Sequence, residues 1–187
     1  MKIIKIINGP LKENCYLLEF DNKKCVVIDP GMDTKKIIEQ IDKYKLEVKA
    51  VLLTHGHFDH IFSSKALKDK GAKIYISELD GPKLLDSELN MGFIHGIHSE
   101  PVLPDGFLKE GENEIEGEKF EIIYTPGHTS GSVIILYKDN AFTGDTYFEE
   151  GVYGRTDLLD GRPELMVESL NKIKPLIKDK KIFAGHD

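Results

Sequence analysis

The segment LLTHGHFDHI, residues 52–61, gathers His55, His57, Asp59 and His60 within six positions, directly after an apolar run. Imidazole and carboxylate without thiolate are a donor set for zinc, iron or manganese. Three imidazoles and a carboxylate on one short loop cannot all reach a single ion. A tight turn can aim His55 and His57 one way and Asp59 and His60 the other, which suits two cations about 3.5–4 Å apart in a two-metal hydrolytic site. Three further candidates each lie beside a glycine, just past a strand-like run: His128 after FEIIYTPG, Asp145 after NAFTG and His186 after KIFAG. A closed structural zinc site favours cysteine and four ligands. Seven candidates without cysteine point instead to an open, catalytic centre.

Loops that converge in this way need a layered α/β frame. KIIKII, CYLLEF and CVVID read as strands. A turn at Asp21-Asn22-Lys23 sets Cys15 opposite about residue 29, so Cys15 and Cys25 read as two buried free thiols. DTKKIIEQIDKY is an amphipathic helix with Ile37, Ile38 and Ile41 on one face and Asp33 or Thr34 as its cap. VKAVLLT is a continuous apolar strand, as in sheets covered on both faces. SSKALKDKG reads as a helix closed by Gly71, and AKIYIS as the next strand. From about Glu78 to Glu118 the pattern is irregular. A short helix is expected in ELDGPKLLDSEL, then a stretch rich in Gly, Pro and His, then a solvated hairpin in EGENEIEGEKFE. KFEIIYTPG, SVIILY and NAFTGD follow as strands. RPELMVESLNKIKPLI is a helix with Pro163 near its first turn and Leu165, Val167, Leu170 and Ile173 on its buried side. KKIFAGHD closes with a strand. Two similar α/β halves predict a four-layer αββα sandwich.

At 187 residues, 40% apolar and 30% charged, the chain reads as one domain spanning 1–187 with a sizeable core. The net charge of -7 argues against nucleic acid as a partner. No apolar run approaches the ~20 residues that cross a bilayer, so no membrane partner is expected. The N-terminal patch has no small-residue cleavage site behind it, so the expected location is cytoplasmic.

THGHFDH, TPGHTSGS, FTGDT and AGHD, in that order across almost the whole chain, resemble the signature motifs of the metallo-β-lactamase superfamily. The resemblance implies the metallo-β-lactamase fold, with one metal on His55, His57 and His128, a second on Asp59, His60 and His186, and Asp145 bridging them. It also implies that Asp29, in DPG, supports the metal loop from behind. The segment GDTYFEEGVYGRTDLLDGRPELMVESLNKI looks like the small glyoxalase II-like (hydroxyacylglutathione hydrolase-like) metallohydrolases that lack the extra helical domain. That likeness implies cleavage of a small-molecule thioester, such as S-D-lactoylglutathione, by a hydroxide bridging two divalent metal ions. Zinc is the expected metal, with iron or manganese as alternatives. Asp59 would orient the nucleophile as well as bind metal.

Arg155 sits where that family places a basic residue on the glutathione carboxylate, but it can also pair with Asp157. Tyr153 and Tyr147 can line the cleft or pack in the core; Phe93 and Phe107 can meet the acyl group or be buried. His95 and His98 read as surface or cleft-lining residues rather than ligands. The competing reading is a mononuclear-iron persulfide dioxygenase, which shares GRTD, would use His55, His128 and Asp145, and would oxidise sulfur; FTGDTYF fits the hydrolases better. The acidic balance opposes a ribonuclease Z-type activity, the missing export signal a true β-lactamase, and the filled ligand set a non-enzymatic module. Relative to the family, the chain is expected to lack the usual tail after the last ligand histidine, since it stops at Asp187, and to bind more weakly on the His186 side. The acyl group, the thiol carrier and the oligomeric state have no signature in the sequence.

Overall fold

The computed structural model describes residues 1–148 and 151–187. β1 (Lys2–Asn8) and β2 (Glu13–Glu19) form an antiparallel hairpin. A short turn with Asn22 and Lys23 in left-handed conformation then returns the chain as β3 (Lys24–Ile28). The register pairs Glu19 with Cys25 and Tyr16 with Ile28, which keeps Cys15 and Cys25 apart; both are buried free thiols. The Asp33 side chain accepts the Lys36 N–H at 3.1 Å and starts α1 (Thr34–Tyr44); Lys45, in left-handed conformation, ends it. β4 (Glu47–Leu52), β5 (Lys73–Ser77) and β6 (Gly106–Leu108) extend the sheet in parallel, in the order β1-β2-β3-β4-β5-β6. The short helices α2 (Phe58–Ile61) and α3 (Ser64–Asp69) follow β4.

The second sheet has the order β11-β10-β9-β8-β7. Its strands are β7 (Gly111–Ile115), β8 (Glu118–Tyr124), β9 (Val133–Tyr137), β10 (Asn140–Gly144) and β11 (Lys181–Ala184). α4 (Pro163–Ile177) connects β10 to the parallel β11.

Alternation along the strands builds three apolar layers. Leu18, Val26, Ile28 and Leu52 from the first sheet meet Phe120, Ile122, Ile135 and Phe142 from the second. The intervening residues Val27 and Val51, with Ile74, face outward against Ile37, Ile41 and Leu67. Ile123, Ile134 and Leu136 face outward against Ile173 and Ile177. Helices therefore cover both outer faces, giving the expected αββα sandwich. No helix among the described residues is long and apolar enough to cross a membrane.

Two local expectations need correction, and two details were left open by the sequence. ELDGPKLLDSEL yields only a 3-10 turn at Gly81–Leu84, because Lys83 turns inward and is buried against Asp80 instead of joining an exposed helical face. The three-residue β6, beside Pro104, is too short to show a period. The buried side of α4 is Met166, Ser169, Ile173 and Ile177, and Val167 is 54% exposed. The helix is rotated because the Ser169 hydroxyl donates to the Pro126 carbonyl at 2.8 Å while Met166 packs on Gly127. Of the two places open to Phe93 and Phe107, the structure shows neither: both are exposed and neither lines the cleft over the histidines.

Candidate metal centre

β4, β8, β10 and β11 all end at one rim of the sandwich. Past β4 the chain bends at Thr54 and runs irregularly to His57, which is extended and caps the single turn of α2. That change from extended to helical backbone splits the loop. His55 and His57 lie before the helical turn, Asp59 and His60 on it. His128 arrives from the loop after β8, Asp145 directly after β10 and His186 after β11.

His57 Nδ1 stands 2.9 Å from His128 Nε2, and the His55 ring lies within 4.9 Å, centroid to centroid, of the His57 ring and within 4.8 Å of the His128 ring. Opposite them, His186 Nε2 lies 3.3 Å from His60 Nε2 and 3.4 Å from Asp59 Oδ2. Asp145 stands between the groups: Oδ1 is 3.4 Å from His60 Nε2, while Oδ2 is 3.4 Å from His128 Nε2 and 3.6 Å from His186 Nε2. The structure thus brings all seven predicted ligand candidates together.

The outer nitrogens of four rings are tied back. His128 Nδ1 donates to the Arg155 carbonyl at 2.7 Å, and His186 Nδ1 to the Leu11 carbonyl at 3.1 Å. His60 Nδ1 donates to Asp29 Oδ2 at 3.1 Å. His55 Nδ1 donates to the Thr54 hydroxyl at 3.1 Å, which in turn donates to Asp29 Oδ2 at 2.6 Å. Each bond fixes the tautomer and leaves the Nε2 lone pair pointing inward. Asp29, in left-handed conformation at φ 48°, also accepts the Thr54 N–H at 2.8 Å.

A metal fits this donor set. His55 Nε2 and Asp145 Oδ1 are buried without a hydrogen-bond partner. Burying an unsatisfied acceptor costs about 1–3 kcal/mol, and a cation removes that penalty. Ligands about 2.0–2.1 Å from a tetrahedral ion stand roughly 3.4 Å apart, and the approaches above run from 2.9 to 3.6 Å. Burial, helped by the neighbouring imidazoles, pushes His55 well below its ordinary pKa, and pushes His57 down to about 3, so both are neutral at pH 7. Burial opposes charge on His60, but the Asp145 and Asp59 carboxylates outweigh it and raise its pKa well above the usual value. Burial likewise opposes charge on His186, and Asp59 and Asp145 again raise it. Loading an ion on that side must therefore displace protons.

A cleft of about 540 Å³ opens over the cluster. Tyr153 and Arg155 line it. Arg155 also makes the alternative pair, with Nε and Nη2 donating to Asp157 at 2.8 and 2.9 Å. Tyr147 packs toward α4 instead. His95 lines the cleft beside Phe58, whereas His98 is not part of its wall. Sequence reasoning missed the apolar walls: Leu11, Met91, Ile94, Phe148 and Leu158. Their only signal was position, next to Gly-rich turns or in the irregular middle segment.

Glu13 was also missed. It is buried with neither carboxyl oxygen hydrogen-bonded. Burial raises its pKa well above the usual value; His60 opposes this, and Asp29, Asp59 and Asp145 add to it. With its pKa raised by folding, this group lowers stability as pH rises past its unfolded value of about 4. Metal-free Glu13→Gln should therefore show a higher urea midpoint than the parent at pH 7, and the gap should close below about pH 4. An equal or lower midpoint at pH 7 would contradict that upward shift.

The family profile described as the metallo-beta-lactamase superfamily matches residues 8–186. The hydroxyacylglutathione hydrolase GloC of Haemophilus influenzae is 37% identical over 182 residues, covering 94% of this chain and 85% of that protein. The crystal structure of BLEG-1 B3 metallo-beta-lactamase superposes with a TM-score of 0.90 at 33% identity, covering 100% of this chain and 92% of that one. The structure of TTHA1623 in a di-iron-bound form gives 0.87 at 31% identity, covering 98% and 92%.

Proposed function

Because the chain belongs to the metallo-β-lactamase superfamily, we propose that it is a glyoxalase II-like thioester hydrolase acting on a small acyl thioester such as S-D-lactoylglutathione. The observation that carries this reading is the convergence of seven donor side chains, with inward lone pairs, at the floor of an apolar-walled cleft. The likeness to a named hydroxyacylglutathione hydrolase supports the substrate class. In this reading His55, His57 and His128 would hold one divalent ion and Asp59, His60 and His186 a second, with Asp145 available to both. Zinc is the first candidate, with iron and manganese behind it. When bound, such a pair would supply a water acidified to a pKa of ~7 and positive charge to polarise a carbonyl.

The chain's own residues do the rest. Asp59, held in the first turn of α2, faces the cleft and can orient the attacking water. Arg155 at the rim exchanges Asp157 for a substrate carboxylate, a bidentate partner of the same shape. Tyr153 and the apolar walls pack on the acyl and thiol portions and keep bulk water away. A thiolate with a pKa of about 8.5 leaves readily, so no general acid need be assigned.

The test is elemental analysis of the purified protein beside a cleavage assay on S-D-lactoylglutathione. Two equivalents of metal with turnover is the expected result. One iron, no thioester cleavage and oxygen uptake with glutathione persulfide would overturn it. So would hydrolysis confined to β-lactams, the activity named for BLEG-1.

A further inference from the structure

Behind the histidine loop, past the end of β5, lies a buried ion pair that the hydrolytic reading does not use. Asp80 is fully buried and Lys83 nearly so. Asp80 Oδ2 accepts the Gly56 N–H at 2.7 Å and the Thr129 hydroxyl at 2.8 Å. Its Oδ1 accepts the Gly131 N–H at 3.0 Å and pairs with the Lys83 ammonium. Lys83 also donates to Asp160 Oδ2 at 2.8 Å, and that oxygen accepts both the N–H and the hydroxyl of Ser130, at 3.0 and 2.8 Å.

The placement of these bonds carries the argument. Gly56 lies between His55 and His57, and Thr129 follows His128. One carboxylate therefore grips both backbone segments that bear the three clustered imidazoles. The approach is close enough to dictate residue type on each side. A Cβ at Gly56 would stand 2.6 Å from Lys83 Cβ, and a Cβ at Gly131 would stand 2.6 Å from Asp80 Oδ1. His60 and His186 receive no bond from this group: their outer nitrogens are held by Asp29 and by the Leu11 carbonyl.

We infer that Asp80 is a positioning residue for the ion site of His55, His57 and His128, setting the distance between the histidine loop and the 128–131 loop. Lys83 and Asp160 extend the same clamp to the segment that carries Arg155. The inference rests on reading those three imidazoles as ligands. It differs from a general structural role in being confined to one side of the centre.

The experiment is a Zn2+ titration of metal-free protein against a competing chelator, resolving two dissociation constants. His128→Ala and His186→Ala assign each constant to its side. In Asp80→Asn one acceptor oxygen becomes an amide that cannot accept. The constant on the His128 side should rise about 10–100-fold, the scale for partners that orient ligands, while that on the His186 side stays within about twofold. Equal weakening on both sides, or no change, overturns the inference. Should Asp80→Asn fail to fold, Thr129→Val removes only the hydroxyl bond; a smaller rise on the same side is expected, and no rise overturns the proposal. If His128→Ala leaves Zn2+ binding untouched, the ligand assignment itself fails. If His128→Ala weakens binding and Asp80→Asn does not, only the clamp fails.

Discussion

Asp145→Ala should abolish thioester cleavage and leave the protein with at most one firmly held ion. Its carboxylate faces both imidazole groups, with Oδ1 3.4 Å from His60 Nε2 and Oδ2 3.4 Å from His128 Nε2. Burial works against its charge, but the imidazoles of His60, His128 and His186 hold its carboxyl well below the usual carboxylate range. It is thus an anion at any working pH. Alanine removes that charge and leaves His60 and His186 confined without it. Orienting partners behind a ligand cost 10–100-fold when lost, and a ligand shared by two ions should cost more, on the order of 10³-fold or beyond in kcat/KM. Metal content and turnover on S-D-lactoylglutathione, measured on one preparation, check this. Activity near the parent's would remove Asp145 from the centre.

Asp29→Asn should weaken metal binding by about 10–100-fold while the protein stays folded. Its φ of 48° suits asparagine almost as well as aspartate, so the backbone contributes little to the loss. The loss lies in acceptors. Oδ2 takes two donated hydrogens, from the Thr54 hydroxyl at 2.6 Å and His60 Nδ1 at 3.1 Å, while Oδ1 takes the Thr54 N–H. An amide nitrogen in either place confronts a donor with a donor. If His60 then moves its proton to Nε2, the lone pair leaves the cluster. Chelator competition should show the drop and circular dichroism an intact fold. Unchanged affinity would mean that His60 is held by something other than Asp29.

The longer strands and the seven donor side chains were legible because each signal is local. Strand period and continuous apolar runs reveal the sheets, and a donor beside a glycine at a strand end is visible in a few residues. What was not legible depends on distant partners. Asp80 and Lys83, in ELDGPKLL, look like ordinary surface charges until the 128–131 loop folds against them. The phase of α4 turns on a bond from Ser169 to Pro126, 43 positions away. Leu11 and Met91 become cleft walls only when segments 80 residues apart in sequence (91 − 11) come together. Arg155 carries no sign of whether it meets Asp157 or a ligand.

The division of the strands has a consequence for how the molecule could be taken apart. All six strands of the first sheet end by Leu108, and those of the second begin at Gly111, so no strand pairing crosses the point between them. A chain severed there would lose no ladder bond. One fragment would carry His55, His57, Asp59 and His60, the other His128, Asp145 and His186. Neither half could assemble the seven-donor cluster alone, so the severed pieces should recombine more completely as ion concentration rises, with the metal acting as the solder of a split protein.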